Sequence, residues 1–397
     1  MKLLSVEDAR TRMLAWTEPL PTEAVALDAA LGLALAEDVF AVRPQPPYAG
    51  SAMDGWAVRS ADTPGLLAII GESAAGHPFE GVLAPGQAVR IFTGGAMPDG
   101  ADAVVIQEDA RREGEGVEVP SAPHSANVRP AGGDFKADER LLARGARLDP
   151  WRISLVAAAG RGTLQVKRRP SVVLVSTGEE IVEAGATPGP YQIFDSGTLA
   201  LAGLCRTWGA ETRRLRPVRD DADVIAEAVR GAGGDLLVTV GGASVGDHDL
   251  VKPALAQLGL EVAVESVAVR PGKPTWFGKL ADGRRVLGLP GNPASALVCA
   301  ELFLRPVLLA LQGADPQLHL RWARTRGALA ANGAREHWMR ARLANGADGA
   351  LWVEPFADQD SSLVSVFASA DALLRRPVKA PAAAEGEAVE VLPLSRL

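Results

Sequence analysis

At 397 residues the chain is too long for one ordinary core, and about two to four domains are expected. Its 47% hydrophobic and 22% charged content is that of a soluble globular protein. A net charge of −7 argues against a nucleic-acid partner, which usually needs a basic face, so any anion site is local.

Ser5 to Trp16 has helical spacing, with Val6, Ala9, Met13 and Leu14 apolar, Ser5 as N-cap and Asp8 three residues on. The N-terminus lacks the apolar run and cleavage site of a signal peptide. No apolar stretch of membrane-spanning length is read, because Arg305 and Pro306 interrupt Leu302 to Leu311. A cytoplasmic protein with no membrane partner is expected. Its two cysteines, Cys205 and Cys299, are too few for a metal-thiolate cluster and read as buried thiols.

A second helix is predicted over Leu27 to Leu35, and Arg43-Pro-Gln-Pro-Pro47 then breaks the pattern. Short alternating runs follow at Gly55 to Val58, Leu67 to Gly71, Ala88 to Phe92, Ala103 to Gln107 and Val117 to Val119. Residues 141–159 look helical again. The predicted order is a helical domain over 1–42 and 136–168, with a β-rich domain, 43–135, inserted into it.

An α/β domain is predicted over 169–315. Its strands are Ser171 to Val175, Glu211 to Leu215, Asp235 to Val240, Glu261 to Val269, Thr275 to Lys279 and Val286 to Leu289. Its helices are Gly197 to Trp208, Ala222 to Gly231, Asp249 to Leu258 and Pro293 to Gln312. The alternation reads as a doubly wound parallel sheet, whose ligands bind beyond the carboxyl ends of the strands. A β-like tail, 316–397, has candidate strands at His337 to Leu343, Leu351 to Pro355 and Ala388 to Leu392.

Three glycine-rich turns fall at strand ends: Thr239-Val-Gly-Gly-Ala-Ser-Val-Gly-Asp247, Arg270-Pro-Gly-Lys-Pro274 and Leu289-Pro-Gly-Asn-Pro293. Glycine admits a ligand close to the backbone, and free N–H groups at a helix start favour anions. Together such turns suit a phosphorylated or oxyanionic ligand.

Seven segments in order carry a resemblance. They are Ser51-Ala-Met-Asp-Gly-Trp-Ala57, Ile91-Phe-Thr-Gly-Gly-Ala-Met-Pro-Asp-Gly-Ala-Asp-Ala-Val-Val105, Arg129-Pro-Ala-Gly-Gly-Asp-Phe-Lys136, Ser176-Thr-Gly-Glu-Glu180, Gly241-Gly-Ala-Ser-Val-Gly246, Pro271-Gly-Lys-Pro274 and Leu289-Pro-Gly-Asn-Pro293. The set resembles the molybdopterin molybdenumtransferase family, which includes bacterial MoeA and the gephyrin E domain. The resemblance implies insertion of molybdate into adenylylated molybdopterin, with release of AMP and a divalent cation such as Mg2+. It also implies an elongated homodimer, with the active cleft between the α/β domain of one subunit and the inserted domain of the other. The adenylyltransferase of the preceding step and the molybdoenzyme chaperones are partners it suggests.

The resemblance implies a set of site residues. Gly241, Gly242, Ser244 and Gly246 would supply backbone donors and a hydroxyl, or simply form a tight strand-to-helix turn. Pro290, Gly291 and Asn292 form the third turn, and Ser361 of the tail would reach the cleft. Glu180, Asp195, Asp220, Asp247 and Asp249 are carboxylates at or near strand ends, and magnesium prefers a few carboxylates plus phosphate oxygens. Glu180, Asp220 and Asp249 are the metal candidates, Asp249 foremost. Asp249 could instead cap the helix into Leu250, and Asp220 the helix from Ala222. Arg270 and Lys273 are the cations for molybdate or phosphate, or else a solvated pair. Asp54 and Thr93 of the inserted domain would face the cleft, supported by Asp134 and Lys136.

Departures from the family pattern are Ser266, where a second basic residue is common, Trp56 for tyrosine, Gly197 for asparagine, and Asp360 in Gln359-Asp-Ser361. The competing readings are a molybdopterin adenylyltransferase, with a similar α/β domain, and a non-catalytic pterin-binding scaffold.

Overall fold

The structure is a computed structural model and describes residues 3–241 and 250–394. Helix Val6–Ala15 starts as expected, with the Ser5 hydroxyl accepting the Asp8 N–H at 3.0 Å. Its buried face is Val6, Ala9 and Met13. The helix expected over 27–35 does not form. Thr22–Ala26 is a strand, paired antiparallel with Thr163–Lys167, and Leu27–Ala29 is one 3-10 turn. Beyond it the backbone bonds across to another segment: Gly32 N–H donates to Leu148 O and Leu35 N–H to Ala146 O. Ala30, Leu33 and Leu35 fill a small core with Leu148, Val156, Leu164 and Val166. Tertiary pairing thus overrides the helix propensity of a leucine- and alanine-rich segment. Helix Pro150–Ala158, capped by Asp149 onto the Arg152 N–H, completes this layer.

Within 50–130 lies a six-stranded sheet. Its order is Ala103–Ile106, Gly55–Val58, Gln87–Ile91, Gly65–Ser73, Gly116–Val119 and Arg111–Glu113. The last strand, fully exposed and charged, carried no alternating signal.

The α/β sheet runs Glu211–Arg214, Ser171–Ser176, Leu236–Val240, Arg285–Leu289, Trp276–Lys279 and Glu261–Val264. The first four are mutually parallel, and the last two join antiparallel. The expected single strand over 261–269 is two pieces. Glu261–Val264 stays in this sheet, while Val269–Arg270 leaves it to pair with Glu336 and His337.

The apolar helix runs Pro293–Cys299, a π-helical turn Ala300–Leu304, then Arg305–Leu311. Arg305 and Pro306 do not interrupt it. Over 293–311 it is long and apolar enough to cross a membrane, but 89% of that window is buried inside the protein. It is the central strut of the main core, which joins helix Val6–Ala15, the sheet, and Trp338, Leu373 and Leu392 of the tail.

The tail is a closed five-stranded barrel. Glu336–Asn345, Leu351–Pro355, Arg321–Thr325, Ala388–Pro393 and Ala372–Arg376 pair in turn, and the last returns to the first. Two of these strands, Arg321–Thr325 and Ala372–Arg376, lie among arginines and were not anticipated.

Candidate active site

Two of the three glycine turns meet at the carboxyl edge of the parallel strands. Gly241 follows Val240 at φ +94, where its missing side chain leaves room against Thr177 O. A Cβ on Gly291 would lie 3.5 Å from Gly241 Cα, so the first and third turns touch. The Thr177 hydroxyl beside them is buried without a hydrogen-bond partner. A cradle where two glycine turns meet, with an orphaned buried hydroxyl in its wall, suits a ligand rich in oxygen acceptors. Gly242, Ser244, Gly246, Asp247 and Asp249 lie outside the described residues.

Pro290 is buried and Asn292 sits at the start of the central helix. The Asn292 side chain does not cap that helix. Its amide donates to Ser361 Oγ at 2.9 Å, and Ala294 N–H donates to Ser361 O at 3.2 Å. A loop of the barrel region is thereby fastened to the third turn. The loop is shaped by Arg340, which is fully buried. Its guanidinium donates to Asp360 O at 3.0 Å and to Gln359 Oε1 at 3.3 Å, leaving one terminal nitrogen unpartnered. The Asp360 carboxylate accepts the Ser362 N–H and hydroxyl, which hold it below the usual carboxylate range. Arg340 was missed because it falls inside a strand; the signal was a charged residue in an otherwise strand-like run.

Glu180 and Asp220 come to this same edge. Thr177 bridges Val218, and the Gly178 N–H donates to Val218 O at 3.3 Å. The Glu180 carboxylate folds back over Gly178. Asp220 does not cap the following helix: Asp221 does, accepting from the Asp223 and Val224 N–H groups at 2.9 and 3.1 Å. Asp195 serves the fold. It is buried, accepts from Ser176, Thr198 and Arg214, and ties the strand to the following helix. Among the described residues no group of three or more His, Cys, Asp or Glu side chains could hold a metal. Glu180 and Asp220, on the segments that follow the strand ends, are of the chemistry Mg2+ takes: one or two carboxylates, its shell completed by water and phosphate oxygens.

The second turn is set by packing. Gly272 adopts φ +119, and any Cβ there would overlap Cys299 Sγ on the central helix. Burial pushes the Cys299 thiol up to about 12, so it serves as an inert packing surface. Arg270 and Lys273, on either side, are exposed. Ser266 lines a surface cleft of about 670 Å³ with Asp8, Thr11, Arg12 and Glu265.

In the inserted sheet, Asp54 and Thr93 are in direct contact. The carboxylate accepts the Thr93 N–H and hydroxyl, each at 2.8 Å, and these bonds hold it below the usual carboxylate range. Asp134 and Lys136 are exposed. Trp56 is buried in the core of its sheet, with Arg90 stacked over it at 5.2 Å. Gly197 opens its helix packed near Val240.

Three regions of the chain match known families. Residues 4–160 match the MoeA N-terminal region (domain I and II), 173–310 a probable molybdopterin binding domain, and 323–394 the MoeA C-terminal region (domain IV). The chain is 38% identical to a molybdopterin molybdenumtransferase of Nostoc sp. over 304 residues, 74% of this chain and 70% of the relative. It is 32% identical to molybdopterin molybdenumtransferase 1 of Mycobacterium tuberculosis, covering 98% of each. It superimposes on a solved molybdopterin biosynthesis MoeA protein from Pyrococcus horikoshii with a TM-score of 0.82, at 30% identity and 100% of both chains. With these three regions in order, relatives that align over nearly the whole chain and the same overall architecture, the chain belongs to the MoeA family of molybdopterin molybdenumtransferases.

Proposed function

We propose that this protein is the molybdenum-inserting transferase of molybdenum cofactor biosynthesis, taking adenylylated molybdopterin and molybdate and releasing AMP. The observation that carries this reading is the meeting of Gly241, Gly291, Asn292 and Ser361 in one cradle, in a chain whose relatives bear that name. Gly291 and Asn292, with Gly242, Ser244 and Gly246, hold the phosphates of the pterin nucleotide through backbone donors, while Gly241 and Pro290 shape the turns that present them. Arg270 and Lys273 hold the tetrahedral oxyanion, and Ser361 donates a hydroxyl. Glu180, Asp220 and Asp249 bind Mg2+, which when present neutralises phosphate charge. The adenylyltransferase reading finds no support: the curated relatives are named molybdopterin molybdenumtransferases.

The proposed working unit is a homodimer of four-domain subunits, divided at 1–42 with 136–168, 43–135, 169–315 and 316–397. Asp54 and Thr93 act from the partner subunit's inserted domain, with Asp54 kept ionised to orient a water or the substrate. Supporting this, Phe40, Val42 and Trp151 stay exposed in the helical region, apolar surface that a second copy would cover. The location is proposed as cytoplasmic, with the adenylyltransferase and molybdoenzyme chaperones as neighbours in the pathway.

The direct test is AMP release from adenylylated molybdopterin by the purified chain, with and without molybdate and Mg2+. Molybdate-dependent release is expected. Binding of the pterin nucleotide without release in the presence of both ions would leave only a scaffold.

A further inference from the structure

One buried titratable group near the site is used by none of the roles above. Where the Arg270 strand leaves the α/β sheet, it runs parallel to the first barrel strand with Arg270 opposite His337. On its other side His337 pairs with Arg376. The imidazole therefore stands between two arginine positions on adjoining strands. It is only 9% exposed, and neither ring nitrogen has a hydrogen-bond partner among the described residues. Arg376 is buried too, and its Nε has no partner.

The charges that act on His337 are cationic: Arg270, Arg340, Arg335 and Arg376. Carboxylates nearby are engaged elsewhere. Glu336, its neighbour on the strand, pairs with Arg375, as does Glu390. Asp358 and Asp360, from the loop beyond, act on Arg340. Desolvation first, then these arginines, push the imidazole down to about 4, so it is neutral at pH 7. A buried, neutral imidazole set between two arginine positions, with arginines as the charges that act on it, is a setting that favours an anion.

We propose that His337 is a binding residue of the oxyanion pocket: a tetrahedral oxyanion held by Arg270 is also held by the imidazole, which takes up one proton from solvent as the anion binds. This rests on reading the Arg270 turn as the molybdate pocket. The anion cancels the repulsion that keeps His337 neutral, and the imidazolium then supplies a cation. It does so in a chain that has Ser266 where a second base is usual, and whose Ser266 lines the cleft beside the N-terminal helix. Binding and protonation are linked, so affinity falls as pH rises, approaching tenfold per unit where uptake is complete.

The test is calorimetric titration of the full chain with molybdate alone, between pH 6 and 8, in buffers of different ionisation enthalpy. Net proton uptake is expected, largest at pH 6. His337→Gln, which keeps a polar planar group, should abolish the uptake and weaken molybdate about tenfold, flattening its pH dependence. Binding by the parent without uptake across that range, or equal uptake by His337→Gln, overturns the proposal. Should that variant misfold, the imidazole resonances of the parent's five histidines decide. One moving to the protonated position on adding molybdate is expected, and none moving refutes it. No turnover is needed, so the outcomes separate. Proton uptake without AMP release sinks the transferase reading alone, and AMP release without uptake sinks the His337 reading alone.

Discussion

Replacing Gly272 by alanine tests whether the second turn is set by packing on the central helix. The backbone there is at φ +119, and an added Cβ would sit far closer to Cys299 Sγ than the 3.0 Å that real Cβ atoms keep. It would also lie 3.3 Å from Val269 Cγ1 and 3.6 Å from Thr275 Oγ1. Cys299 cannot yield, being fully buried on a core helix with the Thr275 hydroxyl 3.1 Å away. Overpacking costs about 1–3 kcal/mol. The strained φ adds about 1–3 kcal/mol for a side chain in that region. A loss of roughly 3–4 kcal/mol is expected, read by urea unfolding under tryptophan fluorescence. Because Arg270 and Lys273 flank the turn, half-saturation by molybdate should rise as well. Cys299→Ala in the same chain removes the sulfur and should restore the overpacking part, a coupling of about 1–3 kcal/mol, while the φ strain remains. Gly272→Ala within 0.5 kcal/mol of the parent, taking roughly the scatter of neutral substitutions as the yardstick, would refute the reasoning. So would Cys299→Ala giving no recovery.

Asp54→Asn should cut turnover at least about tenfold with the fold intact, since the carboxylate is held ionised by Thr93. Mixed with inactive Asp249→Ala under verified subunit exchange, inactive Asp54→Ala should regain part of its activity; no recovery places both residues in one subunit's site. Arg270→Ala should raise the molybdate needed for half-maximal rate about tenfold and pterin-nucleotide binding less, a charge-assisted contact being worth roughly 1.5–3 kcal/mol. Equal losses would assign Arg270 to the pterin phosphate. In the anion-free protein, His337 is held at about 4 against 6.5 in an open chain. The unfolded chain thus binds the extra proton, and stability present above pH 6.5 is lost as pH falls towards 4, by up to about 3 kcal/mol. His337→Gln should flatten that slope in pH-dependent urea unfolding, and an unchanged slope would count against a buried neutral imidazole.

Much of this protein is local chemistry, and local chemistry is written in the chain. Ser5 and Asp8 announce the first helix. Buried runs such as Leu236–Val240 and Arg285–Leu289 are strands because both faces of the sheet are covered. Gly241 and Gly272 are glycines because their backbones sit at positive φ with close neighbours, where a Cβ would be strained. What depends on partners distant in sequence was decided only by the tertiary structure. The 27–35 segment gave up its helix for pairing with 146–148. The 261–269 run broke because its end pairs with the barrel, not with the sheet. The apolar run at 293–311, divided on paper by Arg305 and Pro306, folds into one buried strut. The roles of Asp195, Trp56 and Arg340 followed from where they are buried and what they touch. His337 gained its surroundings because strand pairing set it between Arg270, 67 positions before it, and Arg376, 39 positions after it. Register between remote strands is fixed by closing the barrel and burying the shared core, and no local pattern encodes that closure.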